Sequence, residues 1–85
     1  MFRLEFSNQS NKFLKQTEKE SCLRILEKVQ KLSLNPYPNG IVKLKEEMGD
    51  VFRIRVGKYR IIYEIYNKEK IIQIIKIDKR ERIYD

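Results

Sequence analysis

Two runs of alternating residues meet at Gly57-Lys58, and this pattern constrains the fold more than any other part of the chain. Phe52, Ile54 and Val56 alternate with Arg53 and Arg55. A strand built this way has one apolar face and one cationic face. Tyr59 to Tyr66 reads as the return strand. Gly57-Lys58 fits a two-residue turn of type II′, which needs glycine first because φ is positive there. With such a turn Val56 faces Tyr59, and Arg55 stands directly opposite Arg60. Like charges opposed across strands destabilise a hairpin. The pairing therefore predicts an anion at this place, and phosphate matches the guanidinium fork.

Eighty-five residues make one domain, spanning 1–85, with one modest core. Charged residues make up 36% of the chain, which leaves little sequence for a large apolar ligand pocket. The formal charge of +7 favours a polyanionic partner such as nucleic acid, an acidic protein or a membrane surface. A merely solvated basic surface is the plainer alternative. Cys22 is the single cysteine, so no intrachain disulfide can form, which suits a reducing, cytoplasmic setting. The absence of histidine excludes a His-pair ribonuclease, a Ser-His-Asp triad and any histidine metal site. Neither a metal cluster nor a cofactor motif is visible, so no cofactor is expected. Arg3, Glu5 and Lys12 interrupt any N-terminal apolar run, so no signal peptide is expected. No stretch approaches the ~20 apolar residues of a membrane span.

Phe2, Leu4 and Phe6 alternate with Arg3 and Glu5, a short first strand. Ser7 or Asn8 can cap a helix through about Lys15, with Phe13 and Leu14 inward. Thr17-Glu18-Lys19-Glu20 has capping-box spacing, predicting a second helix that starts at Thr17 and runs to about Ser33. Its apolar stripe is Cys22, Ile25, Leu26, Val29 and Leu32, with Cys22 expected in the core and Arg24, Lys28 and Lys31 on a solvated face. The prolines of Asn35-Pro36-Tyr37-Pro38-Asn39-Gly40 end that helix. Ile41 to Lys45 reads as extended, Glu46 to Asp50 as a polar turn, and Asn67-Lys68-Glu69-Lys70 as a second turn. Ile71 to Ile77 is apolar except for Gln73 and Lys76, which predicts a central strand covered on both faces. The order is strand, two helices, then three or four strands. It gives an α+β fold: a small antiparallel sheet with two N-terminal helices on one face and the arginines on the other.

The ordered series Leu34-Asn35-Pro36, Lys43-Leu44-Lys45, Phe52-Arg53-Ile54-Arg55, Gly57-Lys58-Tyr59-Arg60-Ile61-Ile62-Tyr63 and Lys79-Arg80-Glu81-Arg82 with Tyr84 resembles the RelE/ParE superfamily of toxins, and within it the RelE branch. The resemblance covers essentially the whole chain. It implies the toxin of a type II toxin–antitoxin pair with a RelE-like fold. The implied activity is ribosome-dependent cleavage of mRNA codons in the A site. The implied partners are an acidic RelB-like antitoxin, the ribosome and mRNA, with operator DNA reached only through the toxin–antitoxin complex and no membrane.

Carried over by position, the resemblance gives Arg60 the scissile phosphate and Arg80 the developing charge or the leaving oxygen. Tyr84 would stack on a base or orient the nucleophile. Arg53 and Arg55 would hold flanking phosphates, and Lys43, Lys45, Lys79 and Arg82 would join in binding RNA. The implied reaction is attack of the ribose 2′-OH on the adjacent phosphate, leaving a cyclic phosphate and a 5′-OH. It requires in-line positioning, charge stabilisation, a base and an acid.

Three departures bear on this. Some RelE-branch members carry lysine, a candidate general base, where this chain has Arg53, and arginine stays protonated at neutral pH. Lys43, Lys45 or Lys79 would then serve as base, or positioning by the ribosome carries most of the rate. The Glu–His pair of some relatives has no counterpart, since histidine is absent and Glu46 and Glu47 stand elsewhere. The sequence also runs only one residue past Tyr84, which leaves open how an antitoxin switches the site.

Plainer roles stand beside these. Arg53 and Arg55 could keep an exposed sheet face from aggregating. Arg60 could pair with Glu64, or Arg80 with Asp78, as surface ion pairs. Tyr37, Tyr59 and Tyr63 read as packing residues. The alternative functions are a ParE-like toxin that inhibits DNA gyrase without cutting RNA, and an inactive toxin homologue.

Overall fold

The computed structural model describes residues 1–45 and 50–79. Strand β1 (Arg3–Phe6) is followed by helices α1 (Asn8–Gln16) and α2 (Lys19–Leu34), then by strands β2 (Val42–Lys45), β3 (Asp50–Val56), β4 (Tyr59–Tyr66) and β5 (Ile71–Lys79). The five strands form one sheet in the order β1-β5-β4-β3-β2. Strands β2 to β5 make an antiparallel meander, as their short connections require. Strand β1 pairs parallel with β5, so the sheet is mixed. Helices α1 and α2 carry the chain from β1 at one edge of the sheet to β2 at the other.

The hairpin takes the expected register: Val56 pairs with Tyr59, Arg55 with Arg60 and Ile54 with Ile61. Gly57 has φ +59, and Lys58 is not among the positive-φ residues, as type II′ demands. The apolar faces of the strands meet α2 in one core. Ile25, Val29 and Leu32 pack with Ile54, Tyr59, Ile61, Tyr63, Ile65, Ile72, Ile74 and Ile77, with Phe13 and Leu14 of α1 at its border. Cys22, expected in the core, is only half-buried; Ser21 beside it on α2 is buried instead.

The expected capping box does not form. Thr17 closes α1, its N–H donating to the Phe13 carbonyl, and Glu18 stands at the start of α2 without a side-chain cap bond. The Thr17 hydroxyl donates instead to the Tyr59 hydroxyl. Two helices end to end compete for this one residue, and the tertiary partner prevails. The N-terminus of α1 is capped as expected, with Ser7 Oγ accepting from the Ser10 N–H.

Strand β5 is interior, but only one of its faces is fully buried. Ile72 and Ile74 point into the core. Pairing with β4 then slips by one: Ile74 faces Tyr63, Lys76 faces Ile62, and Ile75 between them has no partner. This β-bulge resets the alternation. Ile77 enters the core, and Lys76 and Asp78 turn to the opposite face. The start of α1 holds the bulge in place. The Ser7 N–H and the Ser10 hydroxyl donate to the Ile74 carbonyl. The Ser7 hydroxyl donates to the Ile75 carbonyl at 2.7 Å. Gln9 brackets Ile77, donating to its carbonyl and accepting from its N–H. Strand β1 ends at Phe6, so these side chains satisfy β5 backbone groups that would otherwise lie on an open edge.

Candidate active site

The sheet face away from the helices carries the arginines, and among the described residues no helix covers it. Two rows of side chains cross it next to the hairpin turn. In the first, Arg55 lies opposite Arg60, and Arg60 lies opposite Asp78. In the second, Arg53 lies opposite Ile62, and Ile62 lies opposite Lys76. Opposed residues in such rows stand about 5 Å apart, so four cations gather on a small area around one carboxylate.

The anion that the opposed arginines call for is therefore present in the chain itself. Arg60 Nε donates to Asp78 Oδ1 at 3.3 Å. Lys76 Nζ stands 3.7 Å from Asp78 Oδ2. The Arg60 and Asp78 side chains are only 17% and 22% exposed, so this pair is held more firmly than a surface ion pair. Glu64, two positions along β4 from Ile62, is not the partner of Arg60; it accepts from the Tyr66 hydroxyl.

The remaining candidates divide by face and position. Lys43 pairs with Phe52 in the ladder, so it lies on the helix side of the sheet, where its Nζ stands 3.6 Å from Asp50 Oδ1. Lys79 pairs with Tyr59 and is also on the helix side. Neither lysine shares a face with Arg53, Arg55 and Arg60. Lys45 ends β2, paired with Val51, and its side chain lies outside what the structure describes. Arg80, Arg82 and Tyr84 lie outside the described residues, as do Glu46 and Glu47. The sequence reading missed Lys76 and Asp78. Their signal was present: two charged residues spaced i, i+2 interrupt a run whose alternation would have sent both inward.

The helix side of the same sheet end has a different character. Tyr59 is buried, with the Phe13 ring edge-on at 5.8 Å. Hydrogen bonds from Ser21 and then Thr17 favour its ionised form, Lys58 and Lys79 add to this, and its pKa falls below the ordinary 10.0 despite burial. A hollow of about 320 Å³ opens beside it, lined by Ser21, Arg24, Gly57 and Lys58 among others. Tyr63 lies deeper. Its hydroxyl donates to the Pro36 carbonyl at 2.8 Å, and burial pushes its pKa well above the ordinary value. Tyr37 packs edge-on against Phe52 at 5.7 Å. All three tyrosines are packing residues, as the sequence suggested.

A mixed five-stranded sheet with two helices on one face and an arginine cluster on the other defines a small α+β toxin of the RelE type. The chain belongs to the RelE/ParE family: the model of the ParE toxin of type II toxin–antitoxin systems, parDE, matches residues 4–84. It is 32% identical over 85 residues to the Methanocaldococcus jannaschii protein named "Putative toxin RelE1", covering 98% of this chain and 94% of that one. Among solved structures, RelE of the archaeal RelE–RelB complex from Pyrococcus horikoshii superposes with a TM-score of 0.85 at 32% identity, covering 96% of this chain and 98% of its own. The isolated Escherichia coli RelE toxin shares the fold, with a TM-score of 0.83 at 20% identity over 98% of this chain and 88% of its own.

Proposed function

We propose that the chain is a ribosome-dependent mRNA endoribonuclease that cuts codons in the A site. The observation carrying this reading is the convergence of Arg53, Arg55, Arg60 and Lys76 on one sheet face that, among the described residues, no helix covers. Such a face neutralises a phosphodiester backbone and stabilises the charge that builds up at a phosphorane. Arg60 holds the scissile phosphate, and Arg53 and Arg55 hold its neighbours. Arg80 and Tyr84 keep the roles that the resemblance implies. Lys43 and Lys79 stand on the other face, so they meet RNA along the rim and do not serve as the general base.

We infer also that an acidic RelB-like antitoxin binds this chain in the cytoplasm, as RelB binds RelE in the Pyrococcus complex. Operator DNA is reached through that complex. Leu23 and Leu34 of α2, 58% and 72% exposed, offer apolar surface for such a partner. Charge steers the encounter.

Primer extension on an mRNA in a matched cell-free translation system tests the nuclease reading. Ribosome-dependent cuts within A-site codons, absent with Arg60→Ala, are expected. A folded wild-type protein that makes no cuts overturns it, and a supercoiling assay then separates a gyrase inhibitor from an inactive homologue.

A further inference from the structure

We propose that Asp78 is a positioning residue for Arg60: it holds the guanidinium by its Nε edge and leaves the outer pair of Nη groups aimed at an RNA phosphate. This inference rests on the nuclease reading for its substrate, though its geometry stands on the ion pair alone.

An arginine has five N–H donors in a rigid fork and can present more than one edge to an oxyanion. Asp78 takes the Nε side at 3.3 Å. A phosphate can still be received end-on by the two Nη groups. A long side chain that is only 17% exposed and already tied at one edge has less rotamer freedom to lose when substrate arrives. Asp78 also offsets the repulsion between Arg55 and Arg60, which would otherwise splay the two guanidinium groups apart. Lys76 steadies the second carboxylate oxygen at 3.7 Å. Asp78 reaches this face only because the bulge at Ile75 turns it away from the core.

A double-mutant cycle tests the proposal. Wild type, Asp78→Asn, Arg60→Lys and the double variant are compared in single-turnover A-site cleavage, with thermal melting to confirm that each folds. A lysine cannot be held at one edge while presenting another, so the effect of Asp78 should shrink beside it. We expect Asp78→Asn to slow cleavage roughly tenfold to a hundredfold, and to change it less than about threefold in the Arg60→Lys background. Asp78→Glu, which keeps the carboxylate, restores part of the rate. An equal loss in both backgrounds overturns the proposal, because Asp78 then acts on its own, as a general base would. A faster Asp78→Asn variant also overturns it, because Asp78 is then a competitor for the phosphate seat. If the wild type does not cleave, the nuclease reading fails. The same cycle is then read from the affinity for a short single-stranded RNA, where loss of coupling overturns the proposal and coupling upholds it.

Discussion

The two faces of the sheet near the hairpin turn are built from the same three strands, yet they are organised by opposite physics. On the helix side, Tyr59, Ile61 and Ile77 are buried, and the Tyr59 and Tyr63 hydroxyls have neutral partners in Thr17 and the Pro36 carbonyl. On the other side, Arg55, Arg60 and Asp78 form a row of charges in which like stands against like. Packing sets the first face. On the second, the Asp78 carboxylate beside Arg60 offsets the repulsion between Arg55 and Arg60, which packing does not address. Adjacent strand positions can thus be assigned to stability or to function by side, and substitutions should sort the same way.

The largest effect is expected where the two faces are kept apart. Ile77→Lys on β5 puts a charge on the buried side of that boundary. Burying such a charge costs several kcal/mol, so we expect a chain with no cooperative thermal transition. A native circular-dichroism melt from Ile77→Lys would show that the helix side tolerates a charge. Next, Ile61→Ala on the helix side should lower stability by about 2–5 kcal/mol in denaturant titration, without altering the arginine face. Arg60→Ala should do the reverse, reducing cleavage by roughly a hundredfold to a thousandfold while leaving the denaturation midpoint almost unchanged. Lys43→Ala, on the wrong face for the scissile phosphate, should keep cleavage within about threefold of wild type; a loss as deep as that of Arg60→Ala would merge the two faces into one site.

Smaller effects lie with the tyrosines. The Tyr63 phenol has a raised pKa because it is buried. Its contribution to stability is fully present below the unfolded value near 10 and is lost as pH rises through the raised folded value. Tyr63→Phe should therefore cost about 1–3 kcal/mol at neutral pH, by stranding the Pro36 carbonyl, yet lose less stability than wild type above pH 10. Stability measured at both ends of that range checks the crossing. Tyr59 has the opposite shift, so its phenolate should appear before those of Tyr63 and Tyr66 in an alkaline absorbance titration. Ser21→Ala should delay it.

The hairpin was legible to the last pair because alternation, turn chemistry and strand length all agreed there. So were the caps and stripes of the helices, apart from Thr17, whose local spacing pointed to a cap while Tyr59 took its hydroxyl. What the sequence did not disclose is long-range. The parallel pairing of β1 with β5 depends on a crossover whose direction no local pattern encodes. The bulge at Ile75 appears only as an irregular run, and with it Lys76 and Asp78 went unread as part of the site. Arg53, Arg55 and Arg60 were found because they share a short hairpin. Lys43 and Lys79 were grouped with them by charge, and strand register separates them.

The parallel pairing also has a consequence in time. Arg3 meets Ile71 and Phe6 meets Ile74, so the first strand waits for the last before it has a neighbour. The two helices can form while the chain is still being made, but the caps from Ser7 and Gln9 have nothing to hold until β5 emerges. Contacts this distant in sequence form late and slowly. A chain released early, before Ile71, would lack the strand that joins β1 to β4 and with it the carboxylate beside Arg60. Newly made protein would thus complete its arginine face only once β5 has been made, and copies terminated before it would be left unfolded and open to proteolysis.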